Sequence, residues 1–261
     1  MRILVCIKRV PDVGSAVTLT DDAHAVDARH VGYTVAAHEQ CAVEIATRLA
    51  DGADGQSGSV TLLTVGPDEA VEQLRHLLGV GAHAATLVQV DPKALGPADI
   101  AKEIAAVVAA HEAEHGAYDL VLLGNDAADS GDFQVGVRLA YALGWPVVNG
   151  AAHVETSADL AGRVRTTHES PHGTETYELP LPAVVTVLEG GVEPRYPTLK
   201  GRMAAKKIAI ESRTPAHEPQ GSGRLRMHVP PPAPSTVEVL GEGPEAAPAV
   251  VDLLEKLGVL R

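Results

Sequence analysis

Residues 120–146, LVLLGNDAADSGDFQVGVRLAYALGWP, combine an apolar run with a polar loop in a way that favours ligand binding. The apolar run ends at Gly124, the loop is rich in Asp, Asn, Ser and Gly, and a helix is predicted to begin near Phe133. Glycines such as Gly124 and Gly131 let the backbone approach a ligand closely, and the first turn of a helix offers free N–H groups to a phosphate. These features predict a nucleotide-binding loop, although a loop that only caps the helix also fits them.

The same loop carries three carboxylates, Asp126, Asp129 and Asp132. Because carboxylates repel phosphate, we expect them to accept hydrogen bonds from ribose hydroxyls or an adenine amino group, or to cap the helix. The sequence has no GxxxxGK[ST] segment, and no GxGxxG segment follows the first predicted strand, so neither an NTPase nor a standard dehydrogenase is indicated. The 12 histidines are scattered and no GxSxG segment occurs, so no pattern names a catalytic residue or a metal ligand.

Residues 193–207, EPRYPTLKGRMAAKK, form a basic segment in an acidic protein. A basic loop with one apolar tip suits docking onto an acidic partner surface. A solvated loop that leads into a strand at residues 207–210 fits the pattern alone better. The side chains that would make the docking contact are Arg195, Leu199, Lys200 and Arg202.

Predicted strands and helices alternate along the first two thirds of the chain. Short apolar runs bounded by charge, Gly or Pro predict strands at residues 3–7, 60–65, 86–90, 120–123 and 181–188. Apolar residues at helical spacing predict helices at residues 36–50, 68–79, 97–111 and 134–143. Polar–apolar alternation at residues 153–164 and 175–179 predicts a hairpin. We therefore expect an α/β fold with a mostly parallel sheet and helices on both of its faces.

The C-terminal part of the chain has a different composition. Residues 215–234 are rich in Pro, Gly and charge, which predicts an extended arm, and residues 247–260 regain helical spacing. We expect an α/β domain at residues 1–212, and an arm with a tail helix at residues 213–261. The tail helix has no core of its own, so it either packs back on the domain or reaches a partner, and the pattern leaves both open.

Composition excludes several classes of protein. A formal net charge of −13 argues against a nucleic-acid-binding protein, which needs a basic face. The two cysteines, Cys6 and Cys41, form no CxxC pair and fit a reducing cytoplasm. The first ten residues predict a strand rather than a signal peptide, and no apolar stretch reaches the roughly eighteen residues that a membrane span needs. We expect a cytoplasmic protein without direct membrane insertion.

Several of these segments together resemble the β subunit of the electron transfer flavoproteins, the family that includes the FixA-type subunits. The resemblance covers nearly the whole chain, through ILVCIKRVPD, AVEIATRLAD, LLTVGP, GVGAHAATLV, the segment at residues 120–146 and EPRYPTLKGRMAAKKI. The last of these is close to the signature stretch of the family. The two strongest segments also occur in the order and spacing of the family.

The resemblance implies an electron carrier without catalytic residues of its own and with an adenine-nucleotide-α-hydrolase-like fold. Such a β subunit pairs with an α subunit that holds most of the contacts to an FAD. The heterodimer accepts electrons from primary dehydrogenases, often acyl-CoA dehydrogenases, and passes them to a membrane quinone oxidoreductase or another acceptor. The β subunit usually buries one AMP, and some branches bind a second FAD there and split electron pairs. A free-standing nucleotide-binding module of the same fold is the alternative.

The resemblance also assigns site residues. The nucleotide-binding positions of the family correspond to Cys6, Ala36, Ala37, His38, Glu39, Val65, Gly124, Asn125, Asp126, Ala127, Asp129, Gly131, Asp132, Phe133, Gln134 and Val135. The docking leucine of the family falls on Leu199. The chain departs from the family in the loop AAHE, which is usually NPF-like, in Asp126, where Gln is usual, and in Val13, which is often aromatic. AMP-binding members often have Thr where this chain has Val135. Because Val cannot donate a hydrogen bond to phosphate, FAD or an altered nucleotide pose gains weight against AMP.

Overall fold

The computed structural model describes residues 1–12, 14, 17–52, 58–160, 162–231 and 237–260. Val13 lies outside the described residues. The chain divides into two compact units, Met1–Met227 and His228–Arg261. Among the described helices, none is both long and apolar enough to cross a membrane.

A seven-stranded parallel sheet forms the centre of the first unit. The strands of the described residues are β1 (Arg2–Cys6), β2 (Arg9–Pro11), β3 (Tyr33–Val35), β4 (Ser59–Gly66), β5 (Ala84–Gln89), β6 (Leu120–Gly124), β7 (Val147–Ala151), β8 (His153–Glu155), β9 (Arg163–Ser170), β10 (Gly173–Pro180), β11 (Ala183–Val187) and β12 (Ile210–Arg213). The helices are α1 (Ala37–Asp51), α2 (Val71–Leu78), α3 (Pro97–His115), α4 (Val135–Leu143), α5 (Leu199–Ala205) and α6 (Ala247–Lys256). The sheet has the strand order β12-β5-β4-β1-β6-β11-β7, and every neighbouring pair is parallel.

Helices cover both faces of this sheet, as the strand–helix alternation predicts. Successive side chains of a strand point to opposite faces, so Ile3 and Val5 of β1 pack in the cluster that contains α1 and α2. Leu4 and Cys6 pack in the cluster that contains α3 and α4. Both faces of the central strands are therefore buried, which explains why these strands are continuous apolar runs. The predicted α/β fold with a parallel sheet is confirmed.

Two small antiparallel sheets complete the first unit. The predicted hairpin is found only in part: its second arm, residues 175–179, lies in β10, which pairs with β9, but its first arm, residues 153–164, is divided between β8 and the start of β9. A second short sheet pairs β2 with β3. The strand β7 lies at the edge of the large sheet beside β11 and was not indicated by the sequence pattern.

Helix α5 replaces the exposed loop that the basic segment predicts. Its N-cap Thr198 accepts a hydrogen bond from the N–H of Gly201 at 3.0 Å. The turn continues beyond the helix, where the N–H of Ile208 donates to the carbonyl of Ala205 at 3.2 Å. The strand predicted at residues 207–210 is therefore wrong, and β12 begins only at Ile210.

Residues just after the expected boundary at residue 212 are bound to α3. Asp99 of α3 accepts hydrogen bonds from the N–H groups of Gln220 and Gly221, and Glu103 accepts them from Ala216 and His217. This part of the arm has no regular secondary structure, and the two carboxylates hold it on α3. In the second unit, α6 forms within the predicted tail segment, and several of its apolar side chains are exposed.

Candidate functional site

An open cleft lies at the carboxyl ends of β1, β4 and β6, and the space in and above it, open solvent included, is about 720 Å³. The chain leaves β1 toward β4 and β5, and then returns through α3 to β6 on the other side of β1. Such a reversal opens a crevice outside the strand ends, where open α/β sheets bind their ligands. The cleft is lined by Cys6, Ile7, Lys8, Glu39, Leu63, Val65, Pro97, Ile100, Ile104, Leu123, Gly124, Asn125, Asp126, Ala127, Asp132, Val135 and Gly136.

The structure brings most of the sequence-predicted nucleotide residues to this cleft. Those that line it are Cys6, Glu39, Val65, Gly124, Asn125, Asp126, Ala127, Asp132 and Val135. Those that lie outside its lining are Ala36, Ala37, His38, Asp129, Gly131, Phe133 and Gln134. Two of these still contact the cleft, because His38 pairs with Asp126 and Asp129 pairs with Lys8.

One wall of the cleft was not predicted. Ile100 and Ile104 of α3 line it together with Pro97. The only available signal was the helical spacing of these isoleucines, which predicts α3 but not that its first turns border a site. Lys8 also lines the cleft, and its position two residues beyond the end of β1 is the feature that could have indicated it.

An ion pair with Lys8 reduces the negative charge of the loop after β6, and His38 contacts a second aspartate of this loop. Lys8 Nζ lies 2.5 Å from Asp129 Oδ1, and His38 Nε2 lies 3.4 Å from Asp126 Oδ1. The other ring nitrogen of His38, Nδ1, lies 3.2 Å from the carbonyl oxygen of Val187. Lys8 thus offsets the charge of one of the three loop aspartates, Asp129, which reduces the expected repulsion of phosphate at that position.

The backbone of the loop is held on β11. The N–H of Asn125 donates to the carbonyl of Val187 at 3.0 Å, and the hydroxyl of Thr186 donates to the Asn125 side-chain oxygen at 2.8 Å. Gly131 has φ of +63°, a conformation that glycine adopts without strain, and its N–H donates to the carbonyl of Ala127 at 2.7 Å. Helix α4 then begins at Val135, and its N-cap residue makes no side-chain capping bond. The first turn of α4 therefore keeps N–H groups for a ligand.

Two buried acidic or thiol groups border the cleft. Burial raises the pKa of the Cys6 thiol, so Cys6 stays neutral and contributes only apolar surface. Glu39 is 4% exposed, and burial raises the pKa of its carboxyl to about 8. Lys8 lowers the pKa of Glu39, whereas the charges of Asp129 and Asp126 raise it further.

A second surface of interest is formed by the start of α5. Tyr196, Leu199 and Met203 are 81%, 77% and 61% exposed, and the basic residues Lys200 and Arg202 lie between them. We refer to these five residues as the α5 patch. Three large apolar side chains that stay in water on one short segment are typical of a surface that contacts a partner.

Arg195 forms an ion pair within the chain and is therefore not a free cation of the α5 patch. Its Nε and one terminal nitrogen lie 2.7 and 3.0 Å from the two carboxylate oxygens of Glu44, which is 2% exposed. Arg48 Nε donates to the same carboxylate at 2.6 Å. Burial alone would raise the pKa of Glu44, but the hydrogen bonds from Arg195 and Arg48 outweigh it and hold that pKa below its usual value. Arg195 thus anchors the segment before α5 to α1.

Among the described residues, no group of three or more His, Cys, Asp or Glu is placed to hold a metal ion.

The sequence matches known proteins along most of its length. A family model described as "Electron transfer flavoprotein domain" matches residues 24–218. The chain is 34% identical to the electron transfer flavoprotein subunit beta of Syntrophomonas wolfei, over 93% of this chain and 91% of that protein. It is 35% identical to the protein of the same description from Mycobacterium leprae, over 80% and 77%. It is also 35% identical to the mitochondrial one from rice, over 82% of each chain.

Proposed function

The chain belongs to the electron transfer flavoprotein family as a β subunit, and we propose that it forms one half of a heterodimeric electron carrier. The α subunit holds most of the contacts to an FAD, which supplies the redox chemistry, while this chain binds an adenine nucleotide and positions the partners. The complex takes electrons from primary dehydrogenases, such as acyl-CoA dehydrogenases, and passes them to a quinone oxidoreductase or another acceptor. We place this carrier in the cytoplasm. The observation that carries the proposal is the cleft at the ends of β1, β4 and β6.

The residues present fit an adenine nucleotide. Ile100, Ile104 and Leu63 provide an apolar wall for a base, while Lys8 and the first turn of α4 provide positive potential for a phosphate. We propose AMP as the ligand, with a second FAD in an electron-bifurcating carrier as the alternative. Nucleotide released by denaturation and separated by chromatography distinguishes the two.

Ile100→Trp is expected to remove most of the bound nucleotide from the purified protein. Ile100 lies on the cleft wall, so an indole at this position occupies the space of the base. The measurement is nucleotide per chain after denaturation, with a thermal melt to establish folding. Ala109→Trp, on the exposed face of the same helix, is the matched control and should keep its nucleotide. Full occupancy in folded Ile100→Trp protein would place the nucleotide elsewhere.

We propose that the α5 patch docks the donor dehydrogenase. The exposed Leu199 provides an apolar contact, and Lys200 and Arg202 steer it toward an acidic surface. Arg195, which was included with these residues on sequence grounds, supports the patch indirectly through Glu44. Docking by this surface should therefore weaken as ionic strength rises.

We also propose that the arm and tail helix, which are expected at residues 213–261, wrap around the α subunit. Removing the residues after Gly223 should abolish or strongly weaken pairing while the α/β domain stays folded, because the hydrogen bonds from residues 216–221 to Asp99 and Glu103 remain. The exposed apolar side chains of α6 support this role, since a free helix gains little by exposing them. Size-exclusion chromatography with and without the α subunit measures pairing. A truncated chain that pairs as the full chain does would refute the embracing arm.

A further inference from the structure

The carboxyl of Glu39 lies where the cleft meets the end of β6. Glu39 is in the first turn of α1, and its side chain lies over Gly124, the last residue of β6. A Cβ added to Gly124 would come within 2.8 Å of Glu39 Cδ and 3.1 Å of Oε1. The glycine at position 124 therefore makes room for this carboxyl, which borders the cleft and is 4% exposed.

Two protein groups lower the pKa of this carboxyl, the backbone N–H of Glu39 itself and the charge of Lys8, but burial outweighs both. Its Oε2 atom is buried and has no hydrogen-bond partner among the described residues. Lys8 forms no ion pair with Glu39 among the described residues, and is paired with Asp129 instead. The other ionisable groups around the cleft are Asp126, which faces His38, together with Asp132 and the neutral Cys6.

The helices α3 and α4 line the cleft with no charged side chain that could pair with Glu39. Helix α3 contributes Pro97, Ile100 and Ile104, while its acidic residues Asp99 and Glu103 are bound to the arm backbone. Helix α4 contributes Val135 and Gly136. An unpaired buried carboxylate is costly, so the group takes up a proton instead, in agreement with its pKa of about 8.

We propose that the neutral carboxyl of Glu39 binds the adenosine part of the nucleotide, and that this contact makes nucleotide binding weaken as the carboxyl ionises. The inference rests on the proposed nucleotide site. A protonated carboxyl has one O–H donor and retains acceptor capacity, so it can pair with a ring nitrogen, an amino group or a ribose hydroxyl. The phosphate is assigned to Lys8 and the first turn of α4, because these groups supply the positive potential that a neutral carboxyl lacks. Because adenosine is common to AMP and FAD, the proposal holds for either ligand.

Calorimetric titration of the full chain, freed of nucleotide, tests this with adenosine and with AMP between pH 7 and 9.5. Binding of both ligands should weaken by roughly tenfold or more over this range, because each pH unit above the pKa of the binding acid costs up to a factor of ten. Glu39→Gln should bind adenosine at both ends of the range with little change, since the amide stays neutral. Glu112→Gln, which alters an exposed carboxylate of α3 outside the cleft lining, should keep the wild-type pH dependence.

The protonation of Glu39 can also be measured through the pH dependence of protein stability. Since its folded-state pKa lies above that of the unfolded chain, wild-type stability should fall as pH rises from about 5 to 8. The Glu39→Gln chain should lack this loss, so its denaturation midpoint should rise relative to wild type over the same range. Flat adenosine binding in the wild type, or an unchanged pH dependence in Glu39→Gln, would overturn the inference and leave the nucleotide site standing. A wild-type chain that binds neither AMP nor adenosine at any pH would overturn both.

Discussion

Leu199→Ala is expected to slow reduction of the carrier's flavin by the donor dehydrogenase by roughly tenfold to a hundredfold. Leu199 is 77% exposed, so its side chain gains little from folding. Burial of a leucine in a partner pocket contributes about 1.5–3 kcal/mol, and each 1.4 kcal/mol corresponds to a factor of ten in affinity. Stopped-flow reduction at subsaturating dehydrogenase measures the effect.

Two comparisons separate docking from folding. Reduction of the Leu199→Ala carrier by dithionite should proceed at the wild-type rate, because this small reductant needs no docking surface. Tyr177→Ala removes an exposed side chain from the three-stranded sheet and should leave both rates unchanged. Heavy loss of thermal stability in Leu199→Ala would show that Leu199 is a packing residue. An unchanged rate with the dehydrogenase would refute the docking role.

Arg195→Ala is expected to lower the free energy of unfolding by about 2–3 kcal/mol at pH 7. The substitution leaves the buried carboxylate of Glu44 with one of its two guanidinium partners, and an uncompensated buried charge is strongly destabilising. The effect lies below that of a fully orphaned charge because Arg48 remains. Urea denaturation of the two proteins, followed by circular dichroism, gives the difference.

The pH dependence of this stability difference shows whether the lost ion pair with Glu44 causes it. The bonds from Arg195 and Arg48 hold the pKa of Glu44 below its usual value, so their stabilisation is present above the unfolded-state pKa and is lost as pH falls. The difference between wild type and Arg195→Ala should therefore shrink toward pH 3. Arg48→Ala, which removes the more exposed partner, should cost less. A difference that is unchanged at low pH would assign the effect to packing of the arginine stem instead.

The sequence was a good guide to the large sheet and to the position of the cleft. Buried parallel strands leave continuous apolar runs, and the loop after β6 could be identified because its glycines and aspartates follow such a run. The shape of the cleft could not be predicted, because it forms where the chain crosses from β5 to β6 on the other side of β1. Local periodicity does not give this strand order. For the same reason the wall made by Ile100 was not foreseen.

The internal role of Arg195 could not be read from local sequence. Arg195 and Glu44 are 151 positions apart, and only the packing of α1 against the segment before α5 brings them together. The same segment was taken for a loop because Pro194, Pro197 and Gly201 are typical of loops. In the folded chain Pro197 directly precedes the N-cap Thr198, and the helix begins at the next residue. The strand predicted at residues 207–210 was displaced by the turn that ends this helix.

The visible absorption spectrum of the purified chain, alone and with its α subunit, tests the central claim most directly. This chain is proposed to contribute a nucleotide site and docking surfaces, while the α subunit holds the flavin. The account predicts that the chain expressed alone is nearly colourless, and that the co-purified heterodimer shows a stoichiometric flavin spectrum that a donor dehydrogenase bleaches. A stoichiometrically yellow isolated chain, or a chain that forms no complex with an α subunit, would contradict it.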